Sequence, residues 1–245
     1  TPDTTFTPAR TPAGIATPTP SPSPDGYDST ELDGIAAPGE TLPAYASYEE
    51  ARQASIDARG GTCEVVGWIT IPNTVIDYPV YLNATDEAYY LDHNSEGEVS
   101  KYGAIFMDTR NADSTQQQHV LIYGHDMRNG TMFHDLANYK QKAFFDENRY
   151  ITLLWNDVET IWQVYLATPI TDYTVRFTWT RFQSGDHFAE FMADMKSYAR
   201  MVSSSIIDES IVIGPNDQVL TLSTCTYRPP EVREQCFVVQ ARRIR

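Results

Sequence analysis

Apolar residues fall in short alternating runs along most of this chain, and only one long stretch keeps helical spacing. Residues 65–71 and 75–81 read as strands around the turn Pro72-Asn73. Residues 104–107 and 119–123 are short apolar strands, and 150–155 and 160–167 form a hairpin across Asn156-Asp157. Residues 219–223 and 237–241 are two more strands, flanking a loop that carries residues 228–234. Phe188, Phe191, Met192 and Met195 follow the i, i+3, i+4, i+7 pattern, and Tyr198 extends it. The spacing predicts a helix from Asp186 to about Met201 with this stripe facing a core. A shorter helix is expected over 47–59, capped by Ser47 and ended by Gly60-Gly61, and a helical turn over 86–91. About eight short strands and two helices, with no internal repeat, point to a mainly β, closed or nearly closed barrel.

Composition alters this picture at one end only. The first 45 residues hold nine of the 15 prolines, and over 17–24 proline alternates with Thr or Ser. Proline removes a backbone donor and fixes φ, so 1–45 is expected to be an extended, disordered stalk, or a tail with no role, ahead of a catalytic domain at 46–245. The remainder is ordinary for a globular chain of 245 residues, with 41% hydrophobic and 21% charged positions overall. A net charge of -15 argues against a nucleic-acid partner and against tight binding to anionic membrane surfaces. No apolar run reaches the roughly 18 residues needed to span a bilayer. The chain opens Thr1-Pro2, which reads as a trimmed or processed product and leaves a removed signal or anchor open.

Three cysteines, Cys63, Cys225 and Cys236, leave at least one thiol unpaired within the chain. Cys225 ends the run Thr221-Leu222-Ser223-Thr224-Cys225, whose inward residues would be Leu220 and Leu222. It is either a thiol emerging at a barrel rim or a buried structural one. His125 follows the apolar run Val120-Leu121-Ile122. Gly124 before it suits a tight backbone path, and Asn129-Gly130 marks a turn after it. The adjacent Asp126 is expected to favour the protonated ring, and a plain surface histidine is the alternative. Arg233 would be returned beside Cys225 by a hairpin, or else pairs with Glu231 or Glu234 at the surface. A thiol, an imidazole and a guanidinium are the parts of a cysteine acyl-transfer site. His93, His119, His134 and His187 read as structural or solvated. No His or Cys pair has metal-ligand spacing and no calcium loop is visible, so no metal is expected. Cys63 and Cys236 read as buried, unpaired thiols, with a pairing between first and last strands as the alternative.

These segments resemble the sortase family in its class B form. The resemblance rests on Thr221-Leu222-Ser223-Thr224-Cys225 with an arginine eight residues on, and on Ile122-Tyr123-Gly124-His125-Asp126-Met127 followed by Asn129-Gly130-Thr131-Met132-Phe133. Val66-Gly67-Trp68-Ile69, Ile71-Pro72-Asn73-Thr74, Ile76-Asp77-Tyr78-Pro79 and Gly103-Ala104-Ile105-Phe106-Met107-Asp108 extend it over residues 48–245, in order. It implies an eight-stranded sortase-type closed barrel with an N-terminal helix and a long helix before the cysteine strand, and no organic cofactor. By motif position Cys225 resembles the nucleophile, His125 the general acid/base and Arg233 the oxyanion donor, with Ser223 and Thr224 at substrate-contacting positions. The implied activity is that of a membrane-anchored transpeptidase on the outer face of a Gram-positive cell membrane. It would cleave a C-terminal sorting motif after threonine, form a thioacyl enzyme, and pass the surface protein or pilin to an amine of a peptidoglycan precursor or a pilin. A hydrolytic cysteine peptidase and a non-catalytic peptide-binding barrel are the alternatives. The stiff run Arg228-Pro229-Pro230 and the extra Cys236 are not placed by the resemblance.

Overall fold

The alternating runs close into a ring of eight strands. The computed structural model describes residues 44–112, 117–170, 175, 177–225 and 236–245, with Cys225 described by its main chain alone. In chain order the strands are β1 (Val65–Thr70), β2 (Asp77–Tyr81), β3 (Phe106–Met107), β4 (His119–His125), β5 (Tyr150–Trp155), β6 (Val158–Ile170), β7 (Ile206–Ile207), β8 (Val219–Cys225) and β9 (Cys236–Arg243). They are ordered β5-β1-β2-β3-β4-β8-β9-β6, and a β5–β6 pairing closes the barrel; the two-residue β7 hangs on β6. Closure leaves the eight strands no open edge, which removes the usual template for edge-to-edge association. Most neighbours are antiparallel, whereas β2–β3 and β4–β8 are parallel. The expected stalk up to residue 43, the loop 226–235 and Arg233 lie outside the described residues; Tyr45, placed in the stalk by the sequence, instead docks on the folded domain, its hydroxyl donating to Ser95 Oγ at 2.9 Å.

Alternation decides which side chains fill the ring. Ile69, Val80, Val120, Ile122, Leu153, Leu220, Leu222 and Val239 are buried together inside it, as expected for Leu220 and Leu222. The hairpin turn falls at Asn156 and Asp157, both at positive φ (47° and 63°), as a two-residue turn matching the strand twist requires.

The long helix, α4 (Gly185–Met201), covers the outer face of the barrel. Ser184 caps it, its Oγ accepting from the His187 N–H at 3.2 Å. Phe188 and Met192 pack with Tyr165 and Val219, and Met195 with Ile170 and Val238. Each such burial is worth roughly 1.5–3 kcal/mol. At the other end, α1 (Tyr48–Ala58) begins at Ser47, whose Oγ accepts from the Glu50 N–H at 3.2 Å. It stops at Gly60 and Gly61, with φ of 62° and 104°.

Several elements depart from the sequence pattern. The expected helical turn is α2 (Tyr89–Asp92). The ladder carries β4 and β8 two residues past their apolar runs, out to His125 and Cys225, because each strand supplies the other's backbone partners. Two short segments have too few turns to show a period: a 3-10 stretch at His134–Lys140, and α3 (Lys142–Glu147). Leu136, Tyr139 and Phe145 from these segments nevertheless plug the core.

Candidate active site at the carboxyl ends of two parallel strands

The site begins with register. β4 and β8 pair residue for residue without a bulge from His119↔Val219 to His125↔Cys225. The last pair therefore stands side by side where both strands end, on neighbouring strands that run roughly 4.8 Å apart. β9 continues the same row, with Cys225↔Cys236, and β6 closes it with Ile170↔Cys236.

Gly124 has a packing reason rather than a turn reason. It lies in the extended ladder, and a Cβ there would come 2.3 Å from Ile105 Cδ1 and 2.9 Å from the Phe133 ring. Beyond His125 the chain turns at Asn129-Gly130, Gly130 having φ 83°. It returns so that the Phe133 N–H donates to the His125 carbonyl at 2.9 Å. That bond anchors the main chain under the ring.

The ring itself is held by a backbone atom. His125 Nε2 lies 2.6 Å from the Leu91 carbonyl oxygen. A carbonyl only accepts, so Nε2 carries the hydrogen and Nδ1 is the nitrogen left to exchange a proton. Burial pulls the His125 pKa below the usual histidine value, while the Leu91 bond and the charge of Asp92 oppose it. The net direction is down, so the ring is mostly neutral at neutral pH.

This corrects the expectation that Asp126 would favour the imidazolium. Asp126 turns to another histidine, its Oδ1 lying 2.8 Å from His134 Nδ1. The carboxylate whose charge reaches His125 is that of Asp92.

Leu91 is fixed from below by α1 and α2. Tyr90 is buried and donates to Glu64 Oε2 at 2.6 Å. Arg59 pairs with the same carboxylate at 3.2 Å, donates to the Tyr89 hydroxyl at 3.0 Å and lies 4.9 Å from the Tyr89 ring centre. The C-cap residue of α1 is thereby tied to the short helix that presents the Leu91 carbonyl. Nothing in the sequence pattern marks this carbonyl, because a main-chain acceptor has no residue type.

Two residues before His125, on the same face of β4, Tyr123 donates to Asp108 at 3.0 Å, and Arg110 binds Asp108 at 2.7 and 2.6 Å. Burial pushes the Asp108 carboxyl up, but Arg110 outweighs it and holds the pKa below the usual range.

Of the expected site residues, His125 and Cys225 are brought together by their backbone register. Ser223 and Thr224 precede Cys225 on β8; both are buried, and the Thr224 hydroxyl oxygen has no hydrogen-bond partner among the described residues. Arg233 falls outside the described residues. Cys63 and Cys236 form no disulfide with each other, and both are half-buried rather than buried. His119 is fully buried, its Nδ1 on the Trp179 carbonyl and its Nε2 2.7 Å from Thr221 Oγ1, in keeping with a structural role. His93 pairs with Asp92 and stacks on Tyr89.

Comparison with known proteins agrees with this geometry. The Sortase domain model matches residues 69–244. Sortase B of Listeria monocytogenes is 34% identical over 165 residues, covering 66% of this chain and 63% of that protein. The chain thus spans somewhat less than two thirds of that relative's length. The structure of Clostridium perfringens sortase B superposes with a TM-score of 0.66 at 26% identity, over 79% of this chain and 99% of that one. A Staphylococcus aureus sortase B-substrate complex gives 0.66 at 26% identity, over 79% and 84%. With a matching domain model across most of its length and a closed eight-stranded barrel of the same architecture, this chain belongs to the sortase family, in its class B branch.

Proposed function

We propose that the protein is a cysteine transpeptidase that cleaves a C-terminal sorting motif after threonine and passes the protein so released to an amine. The observation that carries this is the His125↔Cys225 register pair at the ends of β4 and β8. A ring neutral at rest, with Nε2 committed to Leu91, supports the following order of steps. Nδ1 of His125 takes the proton of the Cys225 thiol as sulfur attacks the threonine carbonyl. The amide C–N bond breaks and the imidazolium returns that proton to the departing amine, leaving a thioacyl enzyme. An incoming amine then forms a new C–N bond, the C–S bond breaks, and the proton passes back through His125 to the sulfur. Arg233, by its motif position, would donate to the oxyanion. Ser223 and Thr224, by their motif positions, would border the substrate.

Among the structural relatives, one sortase B is bound to a substrate and another to triglycine, which supports a peptide substrate and an amine acceptor. The acceptor class is a peptidoglycan precursor or a pilin amine. The setting is the outer face of a cell membrane, with the residues before Tyr45 as a stalk; among the described residues no helix is long and apolar enough to cross a membrane. The test is a panel of sorting peptides incubated with and without a glycine-based amine, read by product mass. Cleavage after threonine and an amine-extended product are expected. Acid product alone in the presence of the amine would make the protein a hydrolytic peptidase, and binding without cleavage a peptide-binding barrel.

A further inference from the structure

The residue opposite Cys225 across the last strand pair is a second cysteine. β8 and β9 pair antiparallel and unbroken from Val219↔Arg242 to Cys225↔Cys236. Directly opposite residues of an antiparallel pair share a face, with Cα atoms about 4.5–5.5 Å apart. A disulfide spans roughly 4.4–6.8 Å between Cα atoms. Cys236 packs beside Ile170, Met195 and Val238 on the face covered by α4. Cys63 is elsewhere, its Sγ 3.6 Å from the Val65 carbonyl at the start of β1. The third thiol is therefore separate from this pair.

We propose that Cys225 and Cys236 form a reversible disulfide site, with Cys236 as the resolving thiol and a hydroperoxide as the oxidant. The Cys225 thiolate attacks the peroxide: an S–O bond forms, the O–O bond breaks, and hydroxide leaves to become water. The product is a sulfenic acid. The Cys236 thiolate then attacks that sulfur: the S–S bond forms, the S–O bond breaks, and a second water leaves. The two sulfurs together lose two electrons, which hydrogen peroxide takes up. A dithiol reductant reverses the bond by exchange. The disulfide removes the thiol needed for acyl transfer and shields it from irreversible sulfinic oxidation. That effect on turnover rests on the proposed role of Cys225 as nucleophile, whereas the bond itself does not.

The experiment treats the full chain with hydrogen peroxide and maps it without reduction. Trypsin cuts after Arg233, so Cys225 and Cys236 fall in separate peptides that only a disulfide holds together. The expected result is that linked pair, loss of peptide cleavage, and its recovery with dithiothreitol, all unchanged in Cys63→Ser. In Cys236→Ser, and in Cys236→Ala as a second variant, Cys225 should reach the sulfinic acid and activity should not return. Sulfinic acid at Cys225 in the unmodified chain, or a bond to Cys63 with Cys236 still open to alkylation, overturns the proposal. A cross-link in a protein whose reduced form cleaves no sorting peptide would sustain the disulfide site and sink the transpeptidase. Cleavage without a cross-link would sink only the disulfide.

Discussion

His125 Nε2 sits 2.6 Å from the carbonyl oxygen of Leu91, so a main-chain atom 34 residues away in sequence selects the tautomer of the ring. The other nitrogen is thereby left for chemistry. General acid–base groups contribute about 10²–10⁴-fold to rate. His125→Ala is expected to lower kcat for sorting-peptide cleavage by that range. The ring is only half-buried, so thermal melting should change little. A variant that kept wild-type kcat would remove His125 from the mechanism.

The clamp beneath Leu91 is expected to matter through stability as well as position. Arg59→Ala leaves Glu64 partly buried without its cation, and hydrogen bonds to charged groups are worth about 1.5–3 kcal/mol. Denaturant unfolding should show a loss of about 2 kcal/mol, together with a lower kcat. Adding Glu64→Gln should recover part of the stability by removing the orphaned charge. If the double variant were less stable than the single one by the full cost of Glu64→Gln, the ion pair would not be the reason.

Gly124→Ala puts a methyl group 2.3 Å from Ile105 Cδ1, inside the barrel. Overpacking of this kind costs about 1–3 kcal/mol. The melting temperature should fall, and because the next residue is His125, kcat should fall with it. Pairing the change with Ile105→Val is expected to restore some of both, as measured by calorimetry and peptide cleavage.

The strands, the cap at Ser47 and the stripe on α4 were open to reading because each depends on local periodicity or a local hydrogen bond. Residues 150–155 alternate cleanly and form β5 as expected. The Asp126 expectation failed for a reason the strand period supplies: successive residues of an extended chain point to opposite sides, so Asp126 leaves His125 and finds His134. Asp92 takes its place through a tertiary approach that no spacing announces. The pairing of Cys225 with Cys236 also needs the ladder, since eleven positions of chain separate them and only the β8–β9 register sets them opposite.

His119 makes stability depend on pH. Its pKa is pushed down to about 4 by burial, against an unfolded value near 6.5. Between these values the unfolded chain holds a proton that the folded chain lacks. The contribution is therefore complete above pH 6.5 and is lost as pH falls toward 4, by about 3 kcal/mol. His119→Gln should flatten that slope in urea titrations at pH 4.5 and 7. An unchanged slope would place the acid sensitivity elsewhere.

The central claim is that sulfur at position 225 carries the acyl group, with His125 beside it. Intact-mass analysis and peptide mapping of the protein mixed with a sorting peptide and no amine test this most directly. The expected result is an adduct of the peptide through its threonine on Cys225, discharged when amine is added and absent in Cys225→Ala. An adduct on Cys63 or Cys236, or cleavage that survives Cys225→Ala, would contradict it.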